Sequence, residues 1–406
     1  MSYLELNMDV TEEQTMFKDT VRKFAIETLR PVSVKLDEMS AEEMIAPDSI
    51  LWDTLKKAYA LGLHKILIPE DYGGLGLTPL EISLVVEELG YGSGGLSIAL
   101  GLSSFPAFLA SLVPSETLIE KLLVPYCEDT EAKIIGCWAI TEPDHGSDAL
   151  AVGSAQFKDP NIAGMCRAHL EGDEWVINGQ KSAWVSLGTI ATHAMVYLTI
   201  DPSMGMAGGG ICMVPLDLPG VSKGKPLDKM GQRDLNQGEI FFDNVRVPQE
   251  YMFIDQESYE AITDITLAIC NAYMAATFTG AARASYEEAL KYSKERVQGG
   301  KLLFDHQHVR HKLFSMFKTV EACRALSRAA LNYNLSNTPP VTRYSVAAKI
   351  FCTDAAFQVA SDAVQIFGGN GVTREYIIEK FFRDARASMI EDGSNDSLAI
   401  FASEKL

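Results

Sequence analysis

The chain reads as an α+β protein of several domains, with a β-rich centre between two helical ends. Three observations predict this. Helical periodicity runs from Thr11 to about Thr130, short alternating segments run from Ile134 to Pro248, and long amphipathic stretches return from Tyr259 to Lys405. At 406 residues the chain exceeds one ordinary core and suggests two or three packed domains. The boundaries expected from these changes of period are 1–133, 134–250 and 251–406.

The first part opens on a helix with Phe17, Val21, Phe24 and Leu29 inward and Glu12, Glu13 and Asp19 outward. Trp52 to Leu63 keeps helical spacing until Pro69. Gly94 to Pro114 is apolar enough to suggest a membrane span. Ser and Gly interrupt it and Pro106 sits inside, so a buried helix is expected and membrane insertion is not. In the centre, Glu174 to Ile177, Ala194 to Leu198, Gly210 to Val214 and Glu239 to Phe242 read as strands, separated by Gly, Asp, Asn and Pro turns. Ala282 to Val297, His308 to Asn334 and Thr342 to Phe367 are the helices of the last part. No internal repeat, low-complexity tract or long Gly-rich linker divides the chain.

Composition narrows the function classes. Hydrophobic residues at 47% and charged residues at 22% are those of a soluble globular protein. A formal charge of −19 argues against nucleic acid and anionic membranes as partners, because phosphate neutralisation needs basic patches. The seven cysteines are scattered and never form Cys-x-x-Cys, so reduced packing residues are expected and neither a disulfide framework nor a metal cluster. Met1 to Glu13 is acidic and lacks the apolar core of a signal peptide, which gives a cytoplasmic expectation.

The most informative stretch runs from Cys137 to Asp148. A short hydrophobic strand (Ile134, Ile135, Trp138, Ile140) ends in a Pro/Gly/Ser/Asp turn, which puts Thr141 and Ser147 on a loop where hydroxyls and backbone N–H groups can face a ligand. Taken alone, such a loop is most often only a turn. Thr141 to Asp148, however, matches Thr-Glu-Pro-x-x-Gly-Ser-Asp at every fixed position and so resembles the flavin-binding signature of the acyl-CoA dehydrogenase family. Further matches run the length of the chain: Pro69 to Gly74, Met230-Gly231, Val245 to Pro248, Gln365 to Gly371 and Arg383-Asp384-Ala385. The fold this resemblance implies is an N-terminal helical domain, a central β-domain of sandwich or barrel type, and a C-terminal four-helix bundle.

The resemblance implies FAD as cofactor. An isoalloxazine ring needs one face covered by an apolar or aromatic group, and donors at its N5 and O4 edge. Trp138, Ile140, Thr141, Gly146 and Ser147 are expected around it, and Trp184-Val185-Ser186 looks like the family's Trp-Ile-Thr segment, with Trp184 on the ring and Ser186 at its edge. Ser182-Ala183 is one residue longer than the family's usual spacer, which bears on the register of Ser186. A second protomer is expected to hold the nucleotide end through Arg296 and Gln298, His306 and Gln307, and Gln365, Gly368 and Gly369. Gly299 stands where the family has an aromatic residue. Ser394 and Asp396 complete the expected cofactor set. The sharing implies a homotetramer built as a dimer of dimers.

The same resemblance implies the chemistry: a carboxylate takes a proton from the carbon next to a thioester while hydride leaves the neighbouring carbon for the flavin. In the family's common subgroup the base is a glutamate nine residues after the Arg of Arg-Asp-Ala. Here that position is Asp392, followed by Gly393 and Ser394, so the carboxylate is kept but its reach is shortened by about 1.3 Å. Glu391 is the rival. Another subgroup carries its base on the first long C-terminal helix, where alignment places Asn271, which cannot accept a proton. The bland alternative is that Asp392 and Glu391 merely cap a turn. Ser147, Gly393, Gly94 and Gly95 are expected at the substrate, the last two leaving room for acyl bulk. These readings favour dehydrogenation of a cyclic, branched or aryl-substituted acyl-CoA, with a straight short-chain acyl-CoA close behind. A monooxygenase or oxidase of the same fold and a non-catalytic acyl-CoA-binding protein are further alternatives. No Gly-x-Gly-x-x-Gly follows a strand, so an electron-transfer flavoprotein is the expected acceptor.

Overall fold

The computed structural model describes residues 4–406. Its helical first part holds α1 (Glu12–Phe24), α2 (Arg30–Glu38), α3 (Ile50–Ala60), α4 (Pro79–Gly92) and α5 (Gly94–Leu112), joined by short helical turns. Helix starts follow capping chemistry. Thr11 with Gln14 and Thr78 with Glu81 form capping boxes, and Pro79 occupies the first turn of α4, where no N–H is needed. Ser93 ends α4 and caps α5 by accepting the Leu96 N–H. Helix α5 is apolar on every side and buried inside the protein, in keeping with the expectation for that stretch.

The centre is one sheet of eight strands: β1 (Gly136–Ala139), β2 (Arg167–Glu171), β3 (Glu174–Lys181), β4 (His193–Thr199), β5 (Gly209–Pro215), β6 (Val221–Lys223), β7 (Ile240–Pro248) and β8 (Met252–Ile254). The order is β6-β7-β3-β2-β4-β5-β8, with β1 added in parallel to β4. A single residue pair, Arg167 with Thr199, joins β2 to β4, so the sheet is two ladders meeting at one point. Strand β8 pairs with β5 and carries the sheet past the expected boundary at 250.

The last part consists of α6 (Gln256–Glu295), α7 (Gln307–Ser336), α8 (Thr342–Phe367), α9 (Ile378–Ser388) and α10 (Asn395–Ser403). Helix α6 begins far before Ala282; residues 266–280 are buried on every side and show no one-sided stripe to read. It crosses α4 at backbone contact. A Cβ on Gly90 would stand 2.0 Å from the Thr277 carbonyl oxygen, and one on Gly280 would stand 2.0 Å from that of Glu87. Beside this crossing Arg283 bridges buried Glu87 (2.7 Å) and Glu88 (2.5 Å), pairing charges that could not otherwise be buried. The two helical parts are thereby clamped together.

Candidate active site

A cavity of about 820 Å³ opens where the three parts meet. Ile98 and Leu102 of α5 line it, together with Trp138, Ile140, Thr141, Gly146 and Ser147 from β1 and the loop after it. Trp184 and Ser186 enter from the turn after β3, Lys229, Met230 and Gln237 from the loop before β7, and Arg386, Glu391, Asp392 and Gly393 from α9 and its exit.

The loop after β1 is held by its own acids. Glu142 is buried and accepts from Lys181 Nζ (2.7 Å), Met165 N (2.5 Å) and Cys166 N (3.2 Å), which ties the loop to the β2–β3 region. Asp148 accepts from Gly146 N and pairs with His145 Nδ1, both at 2.7 Å. These anchors leave the Thr141 and Ser147 side chains turned to the cavity. In the next segment Ser182 N bonds to Thr141 O (2.9 Å) and Leu187 takes a left-handed φ of 64°. Trp184 and Ser186 both reach the cavity, with Trp184 60% exposed.

Asp392 sits on the loop between α9 and α10 with φ of 51°, a conformation Asp tolerates, followed by Gly393 at 93°. Its carboxylate has no hydrogen bond among the described residues, whereas its backbone carbonyl accepts from the Asn271 amide at 3.4 Å. Burial raises the Asp392 carboxyl to about 6, opposed by the nearby Lys349 ammonium. Burial likewise raises Glu391 to about 7, opposed by Lys229 and by a 2.8 Å bond from Gln232 Nε2, while the Asp392 charge pushes it further up. Lys349 is itself lowered to about 8 by burial and donates to Gly393 O and Asn395 Oδ1, both at 2.8 Å. Burial thus raises both adjacent carboxyls above the usual carboxylate range.

A second cavity, of about 480 Å³, is lined by Arg296, Gln298, Gln365, Gly368, Gly369 and neighbours on α7. No lining residue is common to the two cavities.

Several expected site residues lie elsewhere. Val185 is buried, and its backbone groups are engaged by Ser182, Gly188 and Gly238, so its side chain packs in the core. Gly94 and Gly95 do not face the cavity. A Cβ on Gly95 would stand 2.3 Å from Asp234 Oδ1, and one on Gly94 3.4 Å from the Phe278 ring, so these glycines admit neighbours and leave no acyl room. His306 bonds to Gln298 O at 2.9 Å and Gln307 is exposed, while His308 and Lys312 line the second cavity instead. Ser394 caps α10 by accepting from Ser397 N, and Asp396 is an exposed residue of its first turn. Lys229, Gln237 and Arg386 were not anticipated. The signals for two of them were adjacency to motifs: Lys229 precedes Met230-Gly231 and Arg386 follows Arg383-Asp384-Ala385.

The two cavities fit a flavin dinucleotide. Trp184 offers an uncovered aromatic face beside the Thr141 and Ser186 hydroxyls. At Gly146, Gly368 and Gly369 an added Cβ would meet nothing within 4 Å, so the backbone there is open to a ligand. Models of the acyl-CoA dehydrogenase N-terminal, middle and C-terminal domains match residues 11–129, 137–245 and 266–406. The chain belongs to the acyl-CoA dehydrogenase family. Among its relatives, the short-chain specific acyl-CoA dehydrogenase of Rattus norvegicus mitochondria is 30% identical, over 96% of this chain and 89% of that one. A cyclohex-1-ene-1-carbonyl-CoA dehydrogenase of Syntrophus aciditrophicus is also 30% identical, over 95% and 88%. The solved butyryl-CoA dehydrogenase of Megasphaera elsdenii superposes with a TM-score of 0.86 at 29% identity, covering 100% of this chain and 99% of that one. This acyl-CoA dehydrogenase is thus an FAD-dependent oxidoreductase acting on acyl-CoA thioesters.

Proposed function

We propose that this enzyme dehydrogenates a cyclic, branched or aryl-substituted acyl-CoA, with Asp392 as the base. One observation carries the reading: Asp392 faces the same cavity as Thr141, Trp184 and Ser186, over an apolar wall of Ile98, Leu102 and Leu150. FAD, when bound, supplies the hydride acceptor. Thr141, Trp184 and Ser186 hold and cover it, and Asp392 takes the proton from the carbon next to the thioester. Lys349 and Asn271 fix the loop from below through Gly393 O and Asp392 O. The shortened carboxylate supports a substrate whose reacting carbon lies nearer that loop, and the cyclic acyl group named for the Syntrophus relative supports bulk there. The straight short-chain reading is favoured by the rat relative.

The dinucleotide's far end is assigned to the second cavity of a partner subunit, in a dimer of dimers. Support comes from two cavities with separate walls, and from exposed Phe314, Phe317, Tyr344 and Phe351 on α7 and α8, which a second copy would cover. An electron-transfer flavoprotein is proposed as acceptor and the cytoplasm as location, the latter supported by seven free, buried thiols. Anaerobic titration of the FAD-loaded protein with cyclohexanecarbonyl-CoA, an arylsuccinyl-CoA, isobutyryl-CoA and butyryl-CoA tests the substrate. Fast bleaching of the flavin absorbance by a ring-bearing or branched thioester supports the reading. Bleaching by butyryl-CoA alone moves the assignment to short straight chains.

A further inference from the structure

Lys229 Nζ donates to Leu235 O at 2.7 Å and to Gln237 Oε1 at 2.9 Å. An ammonium only donates, so it fixes the Gln237 amide with its oxygen toward Lys229 and its NH₂ toward the other side. On that side Gln237 Nε2 lies 3.0 Å from Ser186 Oγ and 3.4 Å from Trp184 O. Gln237 is buried, and an isolated antiparallel bridge pairs its backbone with that of Ser186, so the contact is held by main chain as well as side chain. Ser186 Oγ therefore receives a hydrogen bond from the protein. Its own O–H has no acceptor among the described residues, and Ser186 lines the cavity.

We propose that Lys229 and Gln237 are positioning residues that force the Ser186 hydroxyl to act as a donor into the cavity. The group it meets is the N5 and O4 edge of the flavin, which the reading of the site above places there, and this proposal rests on that reading. A hydroxyl beside a freely rotating partner can accept or donate, whereas here the amide NH₂ takes one lone pair and turns the hydroxyl proton away from Gln237, toward the cavity. Preorganised donors aimed at a site where negative charge accumulates stabilise the charged form without reorganisation. The relay therefore makes the bound flavin easier to reduce. It also gives Lys229 a task at a distance, since its charge reaches the cofactor through one amide.

The test uses the FAD-loaded protein and its reduction potential, measured by dye equilibration, with sulfite addition at N5 as a second readout. Gln237→Glu keeps the size of the side chain but offers a carboxylate that accepts from both Lys229 and Ser186, so the hydroxyl proton turns away from the cavity. The expected result is a roughly tenfold loss in the reduction equilibrium, about 30 mV more negative for a two-electron couple, with sulfite affinity falling in parallel. Ser186→Ala should give a similar loss, and Gln237→Glu added to Ser186→Ala should give no further change. Lys229→Met, which frees the amide to rotate, should shift the potential the same way by less, and serves where Gln237→Glu does not fold. A parental potential in Gln237→Glu overturns the relay. So does an undiminished Gln237→Glu effect in the Ser186→Ala background, which would mean a through-space charge effect. Failure of the underlying reading looks different: protein that takes up no FAD, or an FAD-loaded Ser186→Ala variant with an unchanged potential.

Discussion

Ser147 Oγ accepts the Ser394 N–H at 2.9 Å, and this one bond joins the loop after β1 to the loop that carries Asp392. The sheet thereby sets the distance between the expected ring-binding residues and Asp392. Removing the hydroxyl leaves a part-buried N–H without its protein partner, a loss on the order of 1 kcal/mol. Ser147→Ala should slow flavin reduction by substrate tenfold or more while FAD remains bound through the other contacts. Stopped-flow reduction at saturating acyl-CoA checks this, and a parental rate would show that the two loops are positioned independently.

The loop after β1 was legible because a strand ending in a Pro/Gly turn has few conformations, and the match from Thr141 to Asp148 pointed to a flavin-binding role. The strands around Ile177, Val196 and Val214 were legible by alternation or by short apolar runs between turns. The start of α6 was not, since residues 266–280 are buried on every face and the helical stripe vanishes there. Gly94 and Gly95 misled for a physical reason: sequence shows the missing side chain but not what fills the space, here Phe278 and Asp234. The Lys229 to Gln237 contact lies within an irregular loop, where no period announces which side chains meet.

Proton abstraction should depend on pH through Asp392. Its carboxyl is raised to about 6 by burial, so the rate of flavin reduction should climb as pH rises through that value and level off above it. The same shift predicts a stability effect of defined sign. A carboxyl raised in the folded state favours folding below its unfolded value, near 4, and that contribution is lost as pH rises through about 6. Asp392→Asn should then be more heat-stable than the parent at pH 8, by on the order of 1 kcal/mol after screening, with the difference vanishing toward pH 4. Thermal melts across that range decide the matter, and a gain confined to low pH would contradict the sign.

The proposed sharing of the cofactor between subunits predicts complementation. Arg296→Ala damages the second cavity and Trp184→Ala the first, so each variant alone should hold FAD weakly. Co-expressed, they should restore one intact site in each mixed pair, giving protein with a fraction of the parental FAD content and activity. Mixed dimers without recovered FAD would place both ends of the cofactor in one chain.

The assignment of Asp392 as base is tested most directly by stopped-flow flavin reduction in Asp392→Asn beside Glu391→Gln, each loaded with FAD and saturated with the best acyl-CoA. General-base catalysis contributes about 10²–10⁴-fold, so Asp392→Asn should slow reduction by that order, and Glu391→Gln, whose carboxylate is engaged by Gln232, should stay within about tenfold of the parent. Parental reduction in Asp392→Asn together with loss in Glu391→Gln would contradict the account and make Glu391 the base.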